Sequence, residues 1–188
     1  MVKFGSRKNR TSKEKAFKIW KDGKFMISQF ENTNGKLKKH ERLCSFYASD
    51  YHFEMIILPY IEKEINKNHN VVILTENDLK DTVQKVLKNV NLCENDKNKI
   101  FALDWCVNDL RKLDIIRKNI FENTETTVFI KGGKNYIRKM NSYIQENADS
   151  EKIKPIDCYY IDDVQDDISN IIGDYSGVIN TIGKIKID

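Results

Sequence analysis

The sequence predicts a three-layer αβα fold. A mostly parallel sheet of five to six strands lies between two helical layers, with an N-terminal β-hairpin attached. Three observations predict it. Past residue 40, short apolar runs alternate with helical stripes, the pattern of successive βαβ units. Val71-Val72-Ile73-Leu74 is continuously apolar, as a strand covered on both faces requires. Only 2 Pro and 8 Gly interrupt 188 residues, which argues against a collagenous or largely disordered chain.

Residues 1–15 carry many charges and few large apolar groups, so they are expected to form a flexible basic arm. Residues 16–39 are expected to form a β-hairpin appendage and linker. Asp22-Gly23 separates two apolar runs and suits a type I′ turn, which needs positive φ at both central residues. Asn32-Thr33-Asn34-Gly35 supplies a second turn. The α/β domain then covers 40–188. Residues 42–48 are its first strand. Ser49-Asp50 caps a helix striped by Phe53, Ile56, Ile57, Tyr60, Ile61 and Ile65, at spacings of three and four. Pro59 should kink or break that helix.

The second strand is 71–75. Asn77 and Asp78 cap a helix carrying Leu79, Val83, Val86, Leu87 and Val90. Residues 99–105 are expected to be a third strand, and Asn108-Asp109 opens a helix reaching Phe121. Residues 126–131 form the fourth strand. Tyr136, Ile137, Met140, Tyr143 and Ile144 stripe the next helix. Residues 156–161 form the fifth strand and 162–172 an acidic helix. Two short terminal strands, 177–181 and 184–187, pair as an antiparallel hairpin.

Composition narrows the function classes. No apolar run approaches the roughly 20 residues of a bilayer span. The charged start, Lys3 to Lys8, has no apolar stretch behind it, so a cytoplasmic protein without a secretory signal is expected. Cys44, Cys93, Cys106 and Cys158 form no CxxC pair, and the three histidines do not cluster with them. Four reduced thiols are therefore expected, with no metal and no nucleophilic cysteine. The net charge of +4 is uneven: residues 1–42 hold 13 Lys/Arg against 4 Asp/Glu. A basic front on an acidic body attracts a polyanion or an acidic partner.

In open parallel sheets ligands bind beyond the carboxyl ends of the strands. That rule selects Ser49, Asp50 and His52 after strand one, and Thr75 and Glu76 after strand two. Asp104 and Trp105 follow the expected third strand, and Lys131, Gly132, Gly133 and Lys134 the fourth. Gly132-Gly133-Lys134 opens a helix, so its amides and lysine suit one anion. The phosphate loop Gly-x4-Gly-Lys-Ser/Thr and the dinucleotide fingerprint Gly-x-Gly-x-x-Gly are both missing. Asp104, at the end of an apolar run, resembles a magnesium-binding strand end, but without a phosphate loop it reads as a cap or loop anchor. Asp162, Asp163, Asp166 and Asp167 begin a helix, where the macrodipole favours carboxylates. Glu54 reads as solvent-exposed. No nucleophile, base or cofactor motif indicates catalysis.

The stretch from Cys44 to Asp50, the segment Ile57-Leu58-Pro59-Tyr60-Ile61 and the strand 70–75 resemble the opening of MEDS sensory domains, which are related to RecA-like ATPases. The resemblance spans about residues 40–110, and His40 lies near the place where that family commonly carries a histidine. It implies a RecA-like or Rossmann-like sheet without a phosphate loop, and a sensing role without catalysis. The expected function is a non-catalytic regulatory domain that binds a small ligand or a protein partner. Two alternatives stand beside it. One is nucleic-acid binding through Lys13, Lys15, Lys18, Trp20, Lys21 and Lys24, which combine phosphate-neutralising charge with a stacking aromatic. The other is a homo-oligomeric structural module joined through its C-terminal edge strands.

Overall fold

The computed structural model describes residues 42–107, 113, 125–147 and 152–187. The expected basic arm, hairpin appendage and candidate nucleic-acid lysines lie outside the described residues, as does most of the helix expected from Asn108 to Phe121. The elements run β1 (Leu43–Tyr47), α1 (Asp50–Asn66), β2 (Asn70–Thr75), α2 (Lys80–Asn89) and α3 (Glu94–Phe101). They continue with β3 (Thr126–Lys131), α4 (Lys134–Asn147), β4 (Ile153–Tyr160), α5 (Ile168–Gly173), β5 (Gly177–Asn180) and β6 (Gly183–Lys186).

One six-stranded sheet has the order β2-β3-β4-β1-β5-β6. All neighbours are parallel except β5 and β6. The order matches neither doubly wound arrangement, 3-2-1-4-5-6 or 2-1-3-4-5. From β1 the chain crosses to β2 on one side of the sheet, and from β4 it crosses to β5 on the other. Adjacent strands β1 and β4 therefore form the switch point.

Alternation along each strand sends its side chains to two faces. On one face, Leu43, Tyr47, Ile73, Phe129, Ile156 and Cys158 join Phe53, Ile57 and Ile61 of α1 and Val83, Val86 and Leu87 of α2 in one buried cluster. On the other face α4 packs against β3 and β4, burying Ile137, Met140 and Ile144. Helices thus cover both faces, as the apolar runs require. Ser49 caps α1 as expected, its Oγ accepting from His52 N–H at 3.1 Å. α1 continues through Pro59 instead of breaking. That proline is exposed, so the lost backbone hydrogen bond faces water.

Two expectations are corrected. The run 99–105 is not a strand. Residues 94–101 are helix α3, whose cap is Cys93: its Sγ accepts from Asp96 N–H at 3.4 Å, while the thiol donates to the Asp96 carboxylate at 3.0 Å. Cysteine is not a usual cap, and a short apolar run does not separate strand from buried helix end. The acidic segment 162–172 is not one helix either. Two 3₁₀ turns, Ile161–Asp163 and Gln165–Asp167, precede the short α5, and Val164 between them is buried. No helix among the described residues is long and apolar enough to cross a membrane.

Candidate functional site

The carboxyl edge of the sheet gathers most of the residues selected by the sequence. Lys131 ends β3 with a side chain only 2% exposed, and its Nζ lies 2.8 Å from Asp50 Oδ1. The ammonium also sits over the rings of Tyr47, at 4.9 Å from the centroid, and Phe53, at 5.5 Å. The lysine head group thus lies between a carboxylate and two π faces. Glu76 projects from the end of β2 and accepts from Gly133 N–H at 2.7 Å. Lys134 donates to Asp167 at 2.9 Å. Thr75 is buried and closes a local turn, its Oγ1 bonded to both Asn77 O and Asn77 N–H. His52 Nδ1 accepts from Ala48 N–H at 3.1 Å.

The amide at the start of α4 that suited an anion is thus taken by Glu76 from the same chain, and the lysine beside it by Asp167. Gly132 leaves room for this contact: a Cβ there would lie 2.6 Å from both Glu76 Oε2 and Tyr136 Cδ1. Gly132→Ala is therefore expected to displace Glu76 and cost about 1–2 kcal/mol. In urea unfolding, adding Gly132→Ala to Glu76→Ala should cost clearly less than it does alone. Full additivity would show that the glycine does not serve this contact.

Asp104 and Trp105 reach their positions by another route than expected. They follow α3, not a strand. Asp104 is exposed and its Oδ1 accepts from Cys106 N–H at 3.1 Å. Trp105 is buried, donates its indole N–H to Ile100 O at 2.9 Å and accepts from Leu79 N–H at 3.0 Å. Glu54 also departs from expectation. It is fully buried, with neither carboxyl oxygen hydrogen-bonded among the described residues. Burial, with the Asp50 charge adding, pushes its pKa up to about 7 against the opposing influence of Thr82 and Lys131.

The second sheet face holds a feature that the loop rule does not select. Between β4, α4 and α5 lies a pocket of about 350 Å³. Its floor is Asp157, in the middle of β4 and 1% exposed. Asn141 Nδ2 of α4 donates to both Asp157 oxygens at 2.9 Å, and the Tyr175 hydroxyl makes a very short hydrogen bond to Oδ2. Tyr159 extends the chain, its hydroxyl 2.8 Å from that of Tyr175. Arg42 reaches Asp157 Oδ2 from the start of β1 at 3.4 Å and lies over the Tyr175 ring at 5.0 Å. Burial raises the pKa of Asp157, although the hydrogen bonds from Tyr175 and Asn141 oppose the rise. Burial also pushes Tyr159 up to about 12. The signal for this site is Asp157 itself, an acid inside an apolar parallel strand, which requires buried partners. Comparison with protein-family models, curated proteins and solved structures finds no match.

Proposed function

We propose that this chain is a non-catalytic regulatory α/β domain that binds a small polar ligand in the pocket floored by Asp157. The observation that carries the reading is the contrast between two places. At the carboxyl edge the charged side chains already have partners: Lys131 meets Asp50, and Glu76 accepts from the Gly133 amide. The pocket on the α4 face is open, and its volume lies near the lower end of the 300–1,000 Å³ usual for ligand sites. Two of its polar side chains, Asn141 and Tyr175, come from separate segments and are held in place by Asp157. That is the preorganisation a binding site needs.

The non-catalytic part of the reading rests on the state of the reactive groups nearby. Burial raises the pKa of the Cys44 and Cys158 thiols, which keeps them protonated and poorly nucleophilic. The Asp157 carboxyl is engaged by three side chains and is not aimed at a substrate. The resemblance of about residues 40–110 to sensory domains points the same way.

Ser142 lines the pocket and is exposed on α4, so a bulky residue there fills the space without touching the core. Thermal-shift and calorimetric titrations of the full chain with amino acids, sugars, sugar phosphates and nucleotides should find at least one binder. Ser142→Trp should abolish that binding while leaving the melting temperature of the free protein within a few degrees. A panel with no binder, binding that persists in Ser142→Trp, or turnover of the bound compound would overturn the reading.

A further inference from the structure

We infer that the pocket takes a small molecule with an oxyanion at one end, a phosphate or a carboxylate, gripped by the guanidinium groups of Arg42 and Arg138. The inference rests on the reading that this pocket is the binding site. Three cationic side chains line the cavity: Arg42, Lys134 and Arg138. Lys134 is engaged by Asp167 at 2.9 Å. Arg138 is exposed on α4 and has no ion-pair partner among the described residues.

Arg42 is only loosely engaged. Its single contact to Asp157, at 3.4 Å, is long beside the roughly 2.7–2.9 Å of a charge-assisted bond. Asp157 does not depend on it, because Asn141 and Tyr175 already serve both of its oxygens. What fixes Arg42 is its position over the Tyr175 ring, together with its backbone carbonyl, which accepts from Ser176 N–H at 2.9 Å and Ser176 Oγ at 2.8 Å. A guanidinium stacked on an aromatic ring keeps its edge donors for a ligand. Two guanidinium groups on one small cavity are the donor set that matches a planar carboxylate or a phosphate.

Asp174 lines the same cavity. Its carboxylate disfavours a bare polyanion and suits a ligand whose far end donates hydrogen bonds from hydroxyl or amino groups. The cavity of about 350 Å³ limits the ligand to a small molecule and excludes a polymer.

The test is calorimetric titration of the full chain with glycerol 3-phosphate, D-glycerate, inorganic phosphate and uncharged glycerol. The two organic anions separate a phosphate source from a carboxylate source, and glycerol is their neutral match. At least one anion should bind about tenfold or more tighter than glycerol, and its affinity should fall as salt rises. Arg138→Glu should weaken that anion by about tenfold or more with the melting temperature unchanged, since the residue is exposed. Arg42→Gln should weaken it as well. Equal affinity for glycerol, an unaffected Arg138→Glu variant, or no binding by any anion would overturn the inference. None of these would touch the pocket reading if another polar compound binds and Ser142→Trp blocks it. Anion binding that survives Ser142→Trp would instead remove the pocket reading itself.

Discussion

Glu54→Leu is expected to stabilise the protein by about 3 kcal/mol near pH 8 and by about 1 kcal/mol or less near pH 5. The carboxyl is wholly buried on α1, and neither oxygen is hydrogen-bonded among the described residues. Burial raises its pKa from the ordinary 4.5 to about 7. The fold therefore holds the proton more tightly than the unfolded chain does. The stability linked to that proton is fully present below about pH 4.5 and is lost as pH rises through about 7. At about 1.36 kcal/mol per pH unit, this loss amounts to about 3 kcal/mol once both states are ionised. Leucine has a similar volume and no charge to bury. Lys131 keeps its partner Asp50 at 2.8 Å in the variant, so no new unpaired charge appears. Urea unfolding of both proteins at the two pH values measures the effect. A variant destabilised equally at both would show that the carboxyl has a stabilising partner in the fold.

What the sequence discloses follows from how local each cause is. The strands β2 and β3 are legible because burial on both faces demands unbroken apolar runs. α1 is legible because Ser49 and the Phe53–Ile57–Ile61 spacing are both local. α3 is not, because its cap is a cysteine thiol and its last turn, Ile100-Phe101, has the apolar density of a strand. The carboxyl-edge residues are selected by one rule about parallel sheets. Their pairing is not, since Glu76 meets Gly133 across 57 residues only once β2 and β3 are in register. Glu54 looks exposed in the sequence because it is charged, yet it turns toward α2 and is covered. The pocket is least legible. Asp157 announces a buried polar network, but its partners Arg42, Asn141 and Tyr175 come from three other segments. The strand order, with β4 beside β1, brings them together.

Asp157→Ala is expected to destabilise the protein by about 2–4 kcal/mol, and Asp157→Asn by clearly less. The carboxylate is the acceptor on which the pocket floor converges. Its removal leaves the Asn141 amide without this acceptor and the Tyr175 hydroxyl with Tyr159 alone as partner. Tyr175 is only 7% exposed, so water does not readily replace the lost partner. Each buried group left unsatisfied costs about 1–3 kcal/mol, whereas Arg42, whose side chain is 36% exposed, adds little. Asparagine keeps one acceptor oxygen for Tyr175 and restores part of the network. The raised pKa of Asp157 adds a pH signature. Its folded value lies above the unfolded one, so the stability tied to its proton is present at low pH and lost as pH rises through the folded value. Asparagine has no proton to lose, so the gap between wild type and Asp157→Asn should narrow with rising pH. Denaturant titrations across acid and neutral pH measure both effects. Equal stability of the alanine and asparagine variants, or a gap that widens with pH, would show that Asp157 does not organise the floor in this way.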